Sequence, residues 1–292
     1  MDAAPFLKWA GGKTKLLDDI LPQLPAQMAC YYEPFLGGGA VFFALARARR
    51  FRRAVLSDVN PELVHLYRTV RDDVEGLIEA LEPLSRRVDA ESFYELRAME
   101  PEQMAPQARA ARFIFLNKTC FNGLYRVNRR GRFNVPFGRY VRPKVLDAKR
   151  LRACAEALVG VEVHERDFEI SLRLARPGDA IYLDPPYVPV SSTASFTSYA
   201  KGPFGPTEQE RLCSAFIAAL HRGARGILSN SDTPNTRALY AGLEVRTVQV
   251  ARAINRDPAR RGPVGELLVC GLPPKSASSA SGRSARRRAV AG

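Results

Sequence analysis

The stretch Asp179-Ala180-Ile181-Tyr182-Leu183-Asp184-Pro185-Pro186-Tyr187 constrains this chain more than any other. Asp179 to Leu183 has the length and content of a buried strand. Two prolines end it, because they supply no N–H and hold the backbone extended. Their segment offers carbonyl oxygens outside any ladder. Asp184 adds a charged acceptor and Tyr187 a flat face. This set suits a planar molecule with an exocyclic amine, in which two N–H donors meet two acceptors and a ring meets a ring. Such acceptors draw the amine hydrogens out of the ring plane. Electron density then returns to the nitrogen and favours its attack on an electrophile. A plain turn carrying a surface Asp is the competing reading of these residues alone.

The preceding chain supplies a setting for that strand. Tyr31-Tyr32-Glu33-Pro34-Phe35-Leu36-Gly37-Gly38-Gly39 reads as a strand and a glycine loop, followed by a buried helix. Glycines there let a backbone approach a ligand closely, although their spacing is not that of a dinucleotide fingerprint. Arg53 to Leu56 reads as a second strand, and Asp58 follows it where a ribose diol is commonly held. Asn60-Pro61-Glu62 starts a helix, with Asn60 the better-placed cap. Near the N-terminus, Trp9-Ala10-Gly11-Gly12-Lys13 precedes a helical pattern over Leu16 to Leu24. It lacks the leading glycine of a Walker A loop.

Leu63 to Asn117 carries helical patterning and no evident chemistry. Asn117 to Lys144 differs, with eight basic residues and no acid. Tyr125-Arg126-Val127 and Arg132-Phe133-Asn134-Val135 read as a hairpin with its tip at Asn128 to Gly131. Arg, Asn and aromatic residues interleaved in this way suit base edges and phosphates. A solvated basic ribbon is the alternative.

Further on, Arg150 to Leu158 reads as helix and Val159 to His164 as a strand, with Asp167-Phe168 just beyond it. Residues 188 to 206 read as a polar loop. Thr207 to Leu220 reads as a helix with Thr207 and Glu210 as a capping box, and Gly226 to Asn230 as a strand. Leu243 to Ile254 and Gly265 to Leu272 read as a closing hairpin. Lys275 to Gly292 reads as a disordered basic tail.

Strands alternating with helices predict an α/β, Rossmann-like sheet with an inserted helical module. The expected division is 1–62 and 148–272 for the catalytic sheet, 63–147 for the insertion with its hairpin, and 273–292 for the tail. Glu33, Asp58, Asp167 and Asp184 would lie above one sheet edge. Four acids disfavour a phosphate-rich ligand and favour a cationic one with ribose and amine groups, S-adenosylmethionine above all. A net charge of +14 points to nucleic acid ahead of acidic membrane. Five scattered cysteines and three histidines lack metal-ligand spacing, and a reducing cytoplasm fits. No apolar run reaches membrane-spanning length, and the first residues show no signal peptide.

These motifs, in this order, resemble the Dam-type (α-class, D12) DNA adenine-N6 methyltransferases. The resemblance rests on Phe6 to Lys13, Glu33 to Gly39, Asp58 to Asn60, Asn122 to Arg126 with Arg132 to Tyr140, and Asp184 to Tyr187. It spans residues 6 to about 272 and implies methyl transfer from S-adenosylmethionine to adenine N6 in double-stranded DNA, typically in GATC, by a cytoplasmic monomer without metal. Asp184, Pro185, Pro186 and Tyr187 would be catalytic. Trp9, Lys13, Phe35, Gly37, Asp58, Asp167 and Asp184 would hold the cofactor. Lys8, Asn122, Leu124, Arg126, Pro136 and Tyr140 would meet the target. Phe121 stands where the pattern has Tyr, and the loop reads Gly-Gly-Gly where Gly-Ala-Gly is commoner. Rival readings are cytosine-N4 or RNA-adenine methylation, or a non-catalytic DNA-binding relative. Cytosine-C5 chemistry is disfavoured because no Cys follows a Pro.

Overall fold

A computed structural model describes residues 2–187, 204–251 and 263–271 of the chain. The loop read over 188–206 falls outside these residues as far as 203, and the basic tail falls outside them entirely.

Seven strands form one sheet. They are β1 (Met28–Glu33), β2 (Phe51–Asp58), β3 (Glu162–Glu165), β4 (Ala180–Leu183), β5 (Arg225–Ser231), β6 (Glu244–Ala251) and β7 (Pro263–Gly271). Their spatial order is β3-β2-β1-β4-β5-β7-β6. The first five pair in parallel, and β7 runs antiparallel between β5 and β6. The fold is thus the expected Rossmann-like methyltransferase sheet. Central strands covered on both faces are nearly continuous in apolar residues, as in β4, where all four residues are buried.

Period-two alternation sorts the strand side chains between two cores. Tyr31, Tyr182, Ile227 and Leu268 face one core, and Tyr32, Leu183, Leu228 and Val269 face the other. The first core is closed by helices α2 (Ala40–Arg47), α3 (Pro61–Asp72), α4 (Val74–Arg86), α5 (Ala90–Ala98), α6 (Pro106–Thr119) and α7 (Ala148–Leu158). The second is closed by α8 (Phe168–Leu174) and α9 (Pro206–His221), with Tyr240 buried just after α10 (Pro234–Leu239). α3 touches both β3 and α6, so the insertion continues the main core. All five cysteines are buried and free.

Local chemistry sets the boundaries. Asn60 caps α3 by accepting from the Glu62 and Leu63 N–H groups at 3.1 and 3.3 Å. Asp73 and Asp89 cap α4 and α5 in the same way, which divides the insertion into separate helices. Other expectations need correction. The helix expected over Leu16 to Leu24 is instead a 3₁₀ turn (Lys13–Leu16), a single α turn, α1 (Leu17–Ile20), and a second 3₁₀ turn (Leu21–Gln23). Pro22 has no N–H to donate back along the helix. The Thr207–Glu210 capping box does not form. Pro206 takes the first helical position and Gly205 the cap, so Thr207 is already inside α9. β3 begins at Glu162 rather than Val159, because Gly160 (φ 72°) turns the chain out of α7.

A buried carboxylate ties the strand starts together. Asp179 accepts from the Cys30 N–H of β1 at 3.1 Å and from the Arg176 N–H at 2.9 Å, and its own carbonyl accepts from Arg225 at 3.0 Å. Asp179→Ala strands one buried donor, the Cys30 N–H, and one partly buried donor, the Arg176 N–H, and hydrogen bonds to charged groups contribute about 1.5–3 kcal/mol each. A loss of about 2–4 kcal/mol is expected, read as a lower urea midpoint at unchanged slope.

Candidate active site

The C-terminal ends of the parallel strands converge. β1 ends in Glu33 and β2 in Asp58, while Asp184 directly follows β4. Their strands are neighbours in the order β2-β1-β4. After β1 the chain reverses through Pro34 to Gly39, where Gly37 and Gly39 take φ of 47° and 67°. The Gly37 N–H donates to Asp58 Oδ2 at 3.2 Å, and Tyr67 Oη donates to the Gly37 carbonyl at 3.1 Å. A Cβ on Gly37 would stand 2.7 Å from Trp9 Nε1, so the loop needs glycine both for its conformation and for the indole lying on it. Trp9 stacks in turn on Tyr125 (5.7 Å, 24°), and Tyr125 stacks on Phe113 (5.1 Å, 20°).

At the centre lies an ion pair. Lys13 Nζ is 2.7 Å from Asp184 Oδ1 and 2.8 Å from Oδ2. The lysine is 4% exposed and also donates to the Gly11 carbonyl at 2.6 Å. Its nitrogen lies 4.8 Å from the centroid of the Tyr187 ring. The Asp184–Tyr187 segment is gripped from two further elements. Gln209 of α9 donates to the Pro186 carbonyl at 3.1 Å and accepts from Asn230 Nδ2 at 3.0 Å. Glu266 of β7 accepts from Tyr187 Oη at 2.7 Å.

Burial governs the electrostatics. It pushes Asp184 above the usual carboxylate range, with Lys13 opposing and Glu266 adding to the rise. Burial also lifts Asp58 to about 6, against N–H groups of Asn60, Gly37 and Val59. Glu33 rises to about 8 through burial, opposed by a hydrogen bond from Tyr31 and reinforced by Asp184.

Phe35 lies outside this centre, stacked on Phe168 (5.5 Å) with Phe204 edge-on (5.8 Å). Asp167 caps α8 through the Glu169 N–H and meets Arg211 twice, at 2.7 and 3.0 Å. The Arg211 guanidinium lies over Phe168 at 4.3 Å.

The expected target-facing residues form a second group. Lys8 exchanges backbone hydrogen bonds with the Asn117 side chain and lies 3.8 Å over the Tyr140 ring. Asn122 is exposed with φ 55°, and Gly123 is packed under Lys8. Leu124 is half-buried, and its carbonyl lies 3.2 Å from Cys120 Sγ. The Pro136 carbonyl accepts from Phe121 N–H at 2.8 Å. The expected hairpin is reduced to a turn closed by an isolated Val127–Phe133 bridge, with Asn134 N–H donating to the Arg126 carbonyl at 3.0 Å and Gly131 at φ 78°; neither arm is a regular strand. At its base Arg126 Nε donates to Asn134 Oδ1 at 2.7 Å.

Sequence reasoning missed Gln209, Glu266 and Arg211. Glu266 left a signal, as a lone acid in the apolar run Val264 to Val269. Gln209 and Arg211 left none, since polar residues are ordinary on a surface helix. Among the described residues, no group of three His, Cys, Asp or Glu is arranged to hold a metal, and no helix is long and apolar enough to cross a membrane.

The sequence profile of the D12 class N6 adenine-specific DNA methyltransferases matches residues 9–254. The chain belongs to this family. Among its relatives, type II methyltransferase M.MjaIII of Methanocaldococcus jannaschii is 40% identical over 286 residues, 92% of this chain and 99% of the relative. M1.LlaDCHI of Lactococcus lactis subsp. cremoris is 37% identical over 271 residues, 91% of this chain and 94% of that one. The DNA adenine methylase of Escherichia coli K12 is 37% identical over 266 residues, 90% of this chain and 94% of that one. The matched span covers each motif described above apart from residues 6–8, and it ends before β7.

Glu33 gives this D12-class chain a pH signature. Its pKa is higher folded (about 8) than the ordinary 4.5. Its contribution to stability is therefore full below about 4.5 and is lost as pH rises through about 8. Glu33→Gln, which cannot ionise, is expected to flatten the decline in urea midpoint between about pH 4.5 and 8. An unchanged pH profile would contradict this assignment.

Proposed function

We propose that this chain transfers the methyl group of S-adenosylmethionine to N6 of an adenine turned out of duplex DNA, within GATC. The observation that carries the reading is the Lys13–Asp184 pair beside Tyr187. There a carboxylate already holds a nitrogen donor next to an aromatic ring, at the edge where the buried acids converge.

The residues present fit the cofactor. Glu33, Asp58 and Asp184 make the edge anionic, and the loop at Gly37 and Gly39 brings bare backbone to it. In this reading Asp58 takes the ribose hydroxyls. Trp9, Lys13, Phe35 and Gly37 line the remainder, and Asp167 with Phe168 lies at the adenine end. When bound, S-adenosylmethionine supplies an electrophilic methyl group on a sulfonium.

The chain's own residues do the rest. Extruding the base costs roughly a few kcal/mol. Tyr187 receives its plane, and Asp184 exchanges the Lys13 ammonium for the amine while the Pro185 carbonyl takes the second hydrogen. Both acceptors strengthen their hold as positive charge grows on the nitrogen, which stabilises the transition state more than the ground state. The methylated nitrogen then releases one amine proton, the electron pair of the broken carbon–sulfur bond stays on sulfur, and no covalent bond to the protein is required. Residues 63–147 meet the DNA, with Lys8, Asn122, Leu124, Pro136 and Tyr140 grouped and Arg126 at the hairpin base.

Incubation with plasmid DNA is expected to yield N6-methyladenine on nucleoside analysis and to change cleavage by nucleases that sense GATC methylation. N4-methylcytosine as the product would overturn the reading. Asp184→Ala is expected to lower methylation by about 10²–10³-fold or more while circular dichroism stays native, and undiminished turnover would remove Asp184 from the mechanism. Arg126→Ala is expected to relax discrimination at one base pair by about 1–3 kcal/mol. Equal weakening on all sequences would reduce Arg126 to a phosphate contact.

A further inference from the structure

The catalytic segment has a side chain holding its far end that its own motif does not contain. Glu266 lies near the start of β7, opposite Ser231 of β5 and Val248 of β6. Because β7 runs antiparallel, its first residues reach the same edge at which β1, β2 and β4 end. From there Glu266 accepts a hydrogen bond from Tyr187 Oη at 2.7 Å. The residues after it, Leu267 and Leu268, are 0% and 1% exposed, and Leu268 and Val269 enter the two cores, so the strand bearing the carboxylate is anchored on both faces of the sheet.

We infer that Glu266 is a positioning residue for base capture: its carboxylate fixes the axis of the Tyr187 ring on which the extruded base stacks, and so where that ring lies. A tyrosine ring held only at its Cβ turns about two torsions. A second hold at the hydroxyl, across the ring from Cβ, fixes the direction of the ring axis, and because a phenol O–H lies in the ring plane it also favours one rotation about that axis. Gln209 holds the main chain one residue earlier, through the Pro186 carbonyl. Tyr187 is thereby fixed at both ends, by α9 and by β7. An ionised acceptor makes the stronger hydrogen bond with a phenol. Glu266 touches neither base nor donor in this scheme; its hold on the base runs through Tyr187, while its charge also adds to the rise at Asp184, a contribution that Glu266→Gln removes without removing the acceptor. A small tilt of the stacking ring would move the amine off the line of attack, and misplacements of that size cost rate rather than binding.

The inference rests on the extruded-base reading, and the test separates the two. Nucleoside analysis of the wild-type product comes first. If another base carries the methyl group, the adenine reading fails, and the same cycle is run on that product because ring stacking serves any extruded base. The cycle uses Glu266→Ala, Tyr187→Phe and the double variant in single-turnover methyl transfer on duplex DNA. Each single change is expected to slow transfer by about 10-fold, and the double by no more than either, because each removes the same hydrogen bond. Glu266→Gln keeps an acceptor oxygen and is expected to recover to within about 3-fold of wild type. Cofactor affinity, read from the fluorescence of the single tryptophan, Trp9, is expected to be unchanged. With 2-aminopurine at the target position, Glu266→Ala is expected to brighten the bound probe as its stacking loosens. Multiplying losses in the double variant, about 100-fold, would overturn the inference. So would a Glu266→Gln variant as slow as Glu266→Ala. Should Glu266→Ala fail to fold, the Tyr187→Phe and Glu266→Gln pair gives the same decision: Tyr187→Phe slow and Glu266→Gln near wild type supports the clamp, and any other pattern overturns it.

Discussion

Adjacent strands in a sheet lie about 4.8 Å apart, so acids ending three neighbouring strands are forced close together. Glu33, Asp58 and Asp184 are in that position, and burial lifts the pKa of all three. Such a cluster resists ionising unless positive charge is supplied. Lys13 supplies it, buried to 4% exposure and within 2.8 Å of both Asp184 oxygens. Pro185 and Pro186 follow this contact directly, and the glycine loop under Trp9 is hydrogen-bonded to Asp58 at the same edge. A cationic ligand entering the same edge would answer the same electrostatic demand, and an anionic one would add to it.

Topology decides which residues can take part. Parallel strands bring only their C-terminal ends to the functional edge, and each contributes one or two residues there. The antiparallel β7 breaks that restriction by presenting its beginning at the same edge, which is how Glu266 reaches Tyr187. The inserted helices are tied in through the N-terminal segment. Lys8 is bonded to Asn117, and Trp9 lies between the glycine loop and Tyr125.

Much of this was legible in the chain itself. Apolar runs ending in Glu33, Asp58 and Asp184 announce parallel strands with acids at their ends, because period and punctuation are local properties. The Asn60 cap and the Gly131 hairpin turn are equally local. What escaped depends on contacts distant in sequence. Gln209 and Pro186 are 23 residues apart, and Tyr187 and Glu266 are 79. No spacing rule connects them, and only the packing of α9 and β7 on the sheet does. The opening helix failed for a local reason, Pro22, that its hydrophobic pattern concealed. Asp167 was read from its place past a strand, but its engagement with Arg211 depends on where α9 packs.

Every thiol in the chain is enclosed, and burial holds Cys120 and Cys154 near pKa 12, so almost none of either is thiolate at neutral pH. Alkylating reagents attack the thiolate and need access to it. Native chains should therefore resist such reagents until some part of the structure opens. The cysteines lie on β1, α7, α9 and β7 and at the end of α6, so the order in which they become modified would map which parts of the scaffold loosen first.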